Sequence, residues 1–166
     1  INRGKGYCIK KGLKIATNQN IILIDGDLEI HISHIPNFID CFERSQKDVL
    51  VGKRWDKTNR AIFEINTIGN YLINMLFNII YKTNLNDVLC CLKILNTKTF
   101  KSLNIKSNNF SIEMEIMAKL TIRRYSIEEL LIDYKRRTKK EGKKLKISDG
   151  WDIILNIKFI KLSKNI

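Results

Sequence analysis

The sequence predicts an α/β domain: a mainly parallel sheet flanked by helices. Three observations predict it. Short, mostly apolar runs (Ile21–Ile24, Asp48–Gly52, Leu92–Leu95), the first with three β-branched residues in four, alternate with segments whose apolar residues recur at helical spacing. The first run ends in Asp25-Gly26-Asp27-Leu28-Glu29, a group of acids where an open α/β sheet places its ligand crevice. The chain has 166 residues, 44% apolar and 28% charged, enough for one domain with a real core.

Asn2-Arg3-Gly4-Lys5-Gly6 leads flexibly into a first helix, with Ile9, Leu13 and Ala16 on one face and Lys10, Lys11 and Lys14 mostly on the other; Asn18-Gln19-Asn20 ends it. The acidic strand and turn follow. Ser33 is a plausible N-cap for a helix with Pro36 in its first turn and Ile35, Phe38, Ile39 and Phe42 along it. Asp48–Gly52 is a second buried strand, and the basic stretch 53–60 a loop. A long helix over 61–81 carries Ile62, Ile65, Ile68, Leu72, Met75, Leu76 and Ile79 as its apolar stripe. After a turn at 84–87 come a strand at Leu92–Leu95, a short helix at Thr97–Leu103, a helix at Phe110–Leu120 with Ile112, Ile116 and Leu120 on one face, and strand character around Leu130-Leu131-Ile132. A basic loop at 134–150 and an amphipathic helix at 151–166 complete a single domain spanning 1–166; Tyr134 to Lys146 holds eight Lys/Arg against one Glu.

A formal net charge of +13 should attract polyanions: nucleic acid, anionic lipid headgroups or phosphorylated substrates. Cys8, Cys41, Cys90 and Cys91 show no metal-finger spacing, and the adjacent pair is poorly placed to bond to itself, so reduced thiols are expected. Asparagines interrupt the longest apolar stretch, Ile65 to Tyr81, which makes a poor membrane span. The chain starts at Ile1, inside what reads as the approach to a helix, so a natural start upstream is expected.

Asp-x-Asp alone is a common acidic turn. Hard carboxylate oxygens this close together nevertheless suit Mg²⁺ or Mn²⁺, completed by substrate phosphates. Six pieces, in order over nearly the whole chain, give that turn a context. They are Asn2-Arg3-Gly4-Lys5-Gly6; Ile24 to Glu29; Val51-Gly52-Lys53-Arg54; Asp87 with Cys91 and Lys93; Phe110 to Glu115; and Tyr134 to Thr138 with Glu141 to Lys144. Together they resemble glycosyltransferase family 2, in its dolichol-phosphate (polyprenyl-phosphate) mannosyltransferase-like branch.

The resemblance implies a GT-A type, Rossmann-like domain. It implies inverting transfer of a sugar, such as mannose from GDP-mannose or the sugar of a UDP-sugar, from a nucleotide diphosphate to a polyprenyl or dolichyl phosphate. It makes Asp25, Asp27 and Glu29 the metal acids for Mg²⁺ or Mn²⁺. It sets Arg54, Asp87, Arg137, Lys143 and Lys144 as substrate contacts, and Asp27, Arg54 and Glu113 as the catalytic group. Its partners would be a nucleotide-diphosphate sugar, a lipid-phosphate acceptor and an anionic membrane surface, at the cytoplasmic face of the membrane, with no nucleic acid. The family's first strand and acidic pair, which hold the nucleoside, have no counterpart here, so the chain matches roughly the latter two-thirds of a catalytic domain. Gly26, Ile32, Lys53 and Arg136 depart from the usual residues without removing a needed charge.

A lipid phosphate is already ionised near neutral pH and can attack C1 without a protein base. A hydroxyl acceptor would require a carboxylate such as Glu113 or Asp87 to take its proton. Glu113 and Glu115 do not share a helix face, so one of them could simply be solvated. His31 and His34 read as loop and helix-surface residues. Two other readings stand beside the transferase: an inactive or split fragment of one, and a basic nucleic-acid-binding module, the latter disfavoured by the lack of an aromatic-rich binding motif.

Overall fold

The structure is a computed structural model and describes residues 1–55 and 65–135. Arg137, Lys143, Lys144, the 134–150 loop beyond Lys135 and the 151–166 helix lie outside the described residues, as does the start of the expected 61–81 helix.

The elements follow in order: α1 (Lys5–Ile15), β1 (Asn20–Leu23), a 3₁₀ turn (Ile32–His34), α2 (Ile35–Ser45), β2 (Val49–Lys53), α3 (Ile65–Tyr81), β3 (Lys93–Asn96), α4 (Thr97–Ser102), α5 (Ile112–Ile122) and β4 (Ile127–Leu131). The sheet order is β1-β3-β2-β4. Strand β3 pairs antiparallel with both β1 and β2, and β2 pairs parallel with β4. The expected α/β class holds, but the mainly parallel sheet needs correction. Strands β1, β2 and β4 share a direction, while β3 runs against them, so two of the three pairings among the described strands are antiparallel. Residues 82–92 bring the chain back after α3, so that β3 enters the sheet at the end where β2 leaves it.

Strand β2 explains the centre of the core. Val49, Leu50 and Val51 are wholly or almost wholly buried, and Gly52 lets Ile132, Cys90 and Leu92 close in where a Cβ would come within 2.9 Å of the Ile132 Cδ1. Helix α5 is buried nearly all round rather than along the one face expected: Ile112, Met114, Ile116, Met117, Ala118 and Leu120 are core, and Glu113 and Glu115 go in with them. Neither glutamate is solvated. The 3₁₀ turn before α2 is capped by His31, whose Nδ1 accepts the Ser33 N–H, so Ser33 is held by a cap and is not itself one.

Helix α3 buries a different face from the stripe expected. Ile73, Asn74 and Phe77 point inward, whereas Ile68, Leu72, Met75 and Ile79 are exposed. Hydrophobic period could not distinguish the faces, because the inward one carries asparagines. Their polar atoms are matched by the turn after the helix. The Asn74 and Asn78 amides donate to the Leu85 carbonyl at 2.7 and 2.8 Å, and Asn74 accepts the Val88 N–H at 3.0 Å.

Candidate active site

Strand β1 delivers Asp25 and Asp27 to the edge of the sheet. The turn then bends sharply at Leu28, which takes a left-handed φ of 62° with its side chain out in solvent. A left-handed leucine is strained and persists where the surroundings hold it. The bend brings the Glu29 N–H back onto Asp27 Oδ1 at 3.2 Å.

Two chains of charge meet at this turn. In the first, Lys93, fully buried on β3, pairs with Glu113 Oε2. Lys5 Nζ lies 2.6 Å from Glu113 Oε1 and 2.7 Å from Asp25 Oδ1. Charges therefore alternate from the core to the acidic turn. Burial alone would raise the Glu113 pKa, but the neighbouring charges of Lys93 and Lys5 and their hydrogen bonds hold it below the ordinary carboxylate value. Burial would lower that of Lys5, yet Glu113 and Asp25 raise it well above the usual lysine value.

In the second chain, Asp87 accepts from Arg54 three times: from the backbone N–H at 3.0 Å, Nε at 2.7 Å and Nη2 at 2.8 Å. The guanidinium lies 4.4 Å from the Trp55 ring centroid and 5.3 Å from that of Tyr134. The Tyr134 hydroxyl donates to Glu29 Oε2 at 2.6 Å, and the Lys135 N–H donates to the Glu29 carbonyl at 2.8 Å. Where the basic segment begins, it is thus fastened to the acidic turn.

Lys5 stands where it does because of the glycines beside it. A Cβ on Gly6 would lie 2.4 Å from the Ser107 carbonyl oxygen, and one on Gly4, whose φ is +90°, 2.4 Å from the Asn108 carbonyl oxygen. The 106–109 loop they lean on is held by Glu115, which accepts the Lys106 and Ser107 N–H groups and pairs with Lys119. Helix α5 thus grips Lys5 twice: Glu113 holds its ammonium, and Glu115 holds the loop beneath its backbone. Gly6→Ala should destabilise the fold by about 1–3 kcal/mol in a urea melt, because backbone, not a flexible side chain, occupies the space.

The structure joins Asp25 and Glu113 through Lys5 in one chain of contacts and Asp87, Arg54 and Glu29 by way of Tyr134 in another, the two meeting along the backbone of the turn that holds Asp27. It ties Arg54 to Asp87 as a pair with side chains 14% and 2% exposed, not as two independent substrate contacts. Glu29 is engaged by Tyr134, and no group of three or more Asp, Glu, His or Cys side chains poised for a metal occurs among the described residues. The donor set suits a cation held by one or two carboxylates and completed by diphosphate oxygens, the usual habit of Mg²⁺. Sequence reasoning gave no role to Lys5 or Glu115, and cited Lys93 and Tyr134 only as parts of motifs. The visible signals for Lys5 were its place between two glycines and its membership of the first motif piece. All four cysteines are free thiols, with Cys90 buried.

The mixed sheet with flanking helices is a GT-A type fold. The solved structure of glucosyl-3-phosphoglycerate synthase from Mycobacterium tuberculosis with uridine diphosphate superposes with a TM-score of 0.74 at 11% identity, covering 96% of this chain and 56% of that one. The same enzyme with phosphoglyceric acid gives 0.72 at 12%, with the same coverage. The glycosyl transferase family 2 model matches residues 1–131, and the chain belongs to that family. A dodecaprenyl-phosphate galacturonate synthase of Rhizobium johnstonii (strain DSM 114642 / LMG 32736 / 3841) is 29% identical over 104 residues, 63% of this chain and 30% of that protein. The chain therefore spans little over half of the solved structures and under a third of this relative.

Proposed function

We propose that this chain is the metal- and acceptor-handling part of a glycosyltransferase that moves a sugar from a nucleotide-diphosphate donor to a polyprenyl phosphate. One observation carries the choice of acceptor. The two carboxylates that could have served a hydroxyl acceptor as base, Glu113 and Asp87, are each locked in buried ion pairs, Glu113 with Lys93 and Lys5 and Asp87 with Arg54. A carboxylate held ionised by two ammonium groups is a weak base. A phosphate acceptor needs none, because it arrives ionised. The likeness to a dodecaprenyl-phosphate galacturonate synthase supports the same class of acceptor.

Asp25 and Asp27 would hold the Mg²⁺ or Mn²⁺, which when bound neutralises charge on the departing diphosphate. Lys5 keeps Asp25 oriented through their ion pair. Tyr134 and the Lys135 backbone tie the start of the basic segment to Glu29. Arg137, Lys143 and Lys144 are proposed to receive the acceptor phosphate. The site would work at the cytoplasmic face of a membrane, and no helix among the described residues is long and apolar enough to cross one.

The test is transfer by the full-length protein from labelled UDP- and GDP-sugars to a polyprenyl phosphate and, in parallel, to a polyprenol. The expected result is product only with the phosphate acceptor, lost with EDTA and restored by Mg²⁺ or Mn²⁺. Equal transfer to the polyprenol would overturn the acceptor assignment.

A further inference from the structure

Helix α3 carries no charged residue along its 17 positions. Its outward side shows Ile68, Leu72, Met75 and Ile79, exposed by 46, 51, 43 and 67% and spaced as one continuous stripe. Surface helices of soluble domains normally alternate such residues with charges, and a contiguous apolar stripe marks a contact surface. The polar atoms of Asn74 and Asn78 are directed at the turn beneath, which leaves the outer side to apolar groups. That turn runs on through Asn86, held by Glu129, into Asp87 and its partner Arg54. The stripe therefore belongs to an element fastened directly to the candidate site.

We propose that the outward face of α3 lies on the headgroup boundary of an anionic lipid leaflet, with Ile68, Leu72, Met75 and Ile79 dipping into the acyl region. The choice of a bilayer over another occupant rests on the polyprenyl-phosphate reading above, since such an acceptor is itself held in a leaflet, and on charge. The chain carries a net +13, and exposed Lys82 follows the helix directly. An uncharged apolar stripe on a strongly cationic body matches what adsorbs in the plane of an anionic interface.

The experiment is co-sedimentation with vesicles of equal parts phosphatidylglycerol and phosphatidylcholine, and with phosphatidylcholine alone. The chain should bind the anionic vesicles more strongly. Leu72→Asp/Ile79→Asp should bind them about tenfold less, as should the neutral Leu72→Ser/Ile79→Ser, which excludes simple charge repulsion. Both replace exposed side chains, and unchanged circular-dichroism melting would confirm that the fold is intact. Wild-type binding by either variant overturns the proposal. So does a dimer that either variant converts to monomer without altering vesicle binding, which assigns the face to a second copy. Transfer by the full-length protein to a short, water-soluble polyprenyl phosphate separates the two readings. No transfer with stripe-dependent vesicle binding defeats the acceptor reading alone, and transfer without vesicle binding defeats the surface alone.

Discussion

Asp25→Ala and Asp27→Ala in the full-length protein should each lower sugar transfer by about a thousandfold, the scale expected when charge on a departing diphosphate loses its metal-centred compensation. Asp25→Ala should have a second effect. Asp25 is one of two carboxylates on the Lys5 ammonium, so its loss leaves that cation with Glu113 alone. Asp25→Ala should therefore also lower the thermal transition. Asp27 Oδ1 accepts the Glu29 N–H and shapes the turn. Steady-state transfer assays with differential scanning fluorimetry read both effects, and full activity in either variant would dismiss the metal role of these acids.

Lys93→Met should be the most destabilising single change, by about 3 kcal/mol or more, because it strips one partner from a buried carboxylate. Adding Glu113→Gln to it should cost less than the two separate losses combined, since the residual penalty is an under-compensated charge. The pH dependence follows from the same pair. Glu113 has a folded pKa below its ordinary value of about 4.3, so its stabilising effect is complete above that value and is lost as pH falls through the lower folded one. Lys5 has a raised folded pKa, so its contribution is complete below about 10.4 and is lost as pH rises through the higher folded value. Urea melts from pH 3 to 6 (roughly the window that brackets the glutamate value) should show wild-type stability falling toward acid. In Glu113→Gln that fall should be shallower.

Much of the fold was legible from local signals. Val49–Lys53 and Lys93–Asn96 are strands close to where short apolar runs placed them, and Ile35–Ser45 is the helix its Pro36 start announced. Less visible was anything that depends on which face a neighbour covers. Helix α3 reads as amphipathic in two ways, and only the matching of Asn74 and Asn78 to a distant turn decides between them. The reversal of β3 likewise depends on where the 82–92 segment re-enters the sheet, which no local pattern encodes.

The site divides in the same way. Asp25 and Asp27 stood out because carboxylates grouped after a strand suit a divalent cation and stand in order with five other motif pieces. Arg54 and Asp87 stood out as well, but as separate substrate contacts; 33 residues apart in the chain, they form one pair. Lys5 was hidden because a lysine between glycines near a basic segment looks like solvated charge. Its meaning emerges only when α5 brings Glu113 beside it. Tyr134 was hidden for a related reason: its partner Glu29 lies 105 positions away.

The most direct measurement is a Mn²⁺ titration followed by electron paramagnetic resonance, in the presence of a nucleoside diphosphate, on the full-length protein and its Asp25→Ala and Asp27→Ala variants. The account predicts one protein-bound Mn²⁺ whose affinity rises when the diphosphate is added and collapses in both variants. Binding of equal strength in wild type and variants would place the cation elsewhere and contradict it.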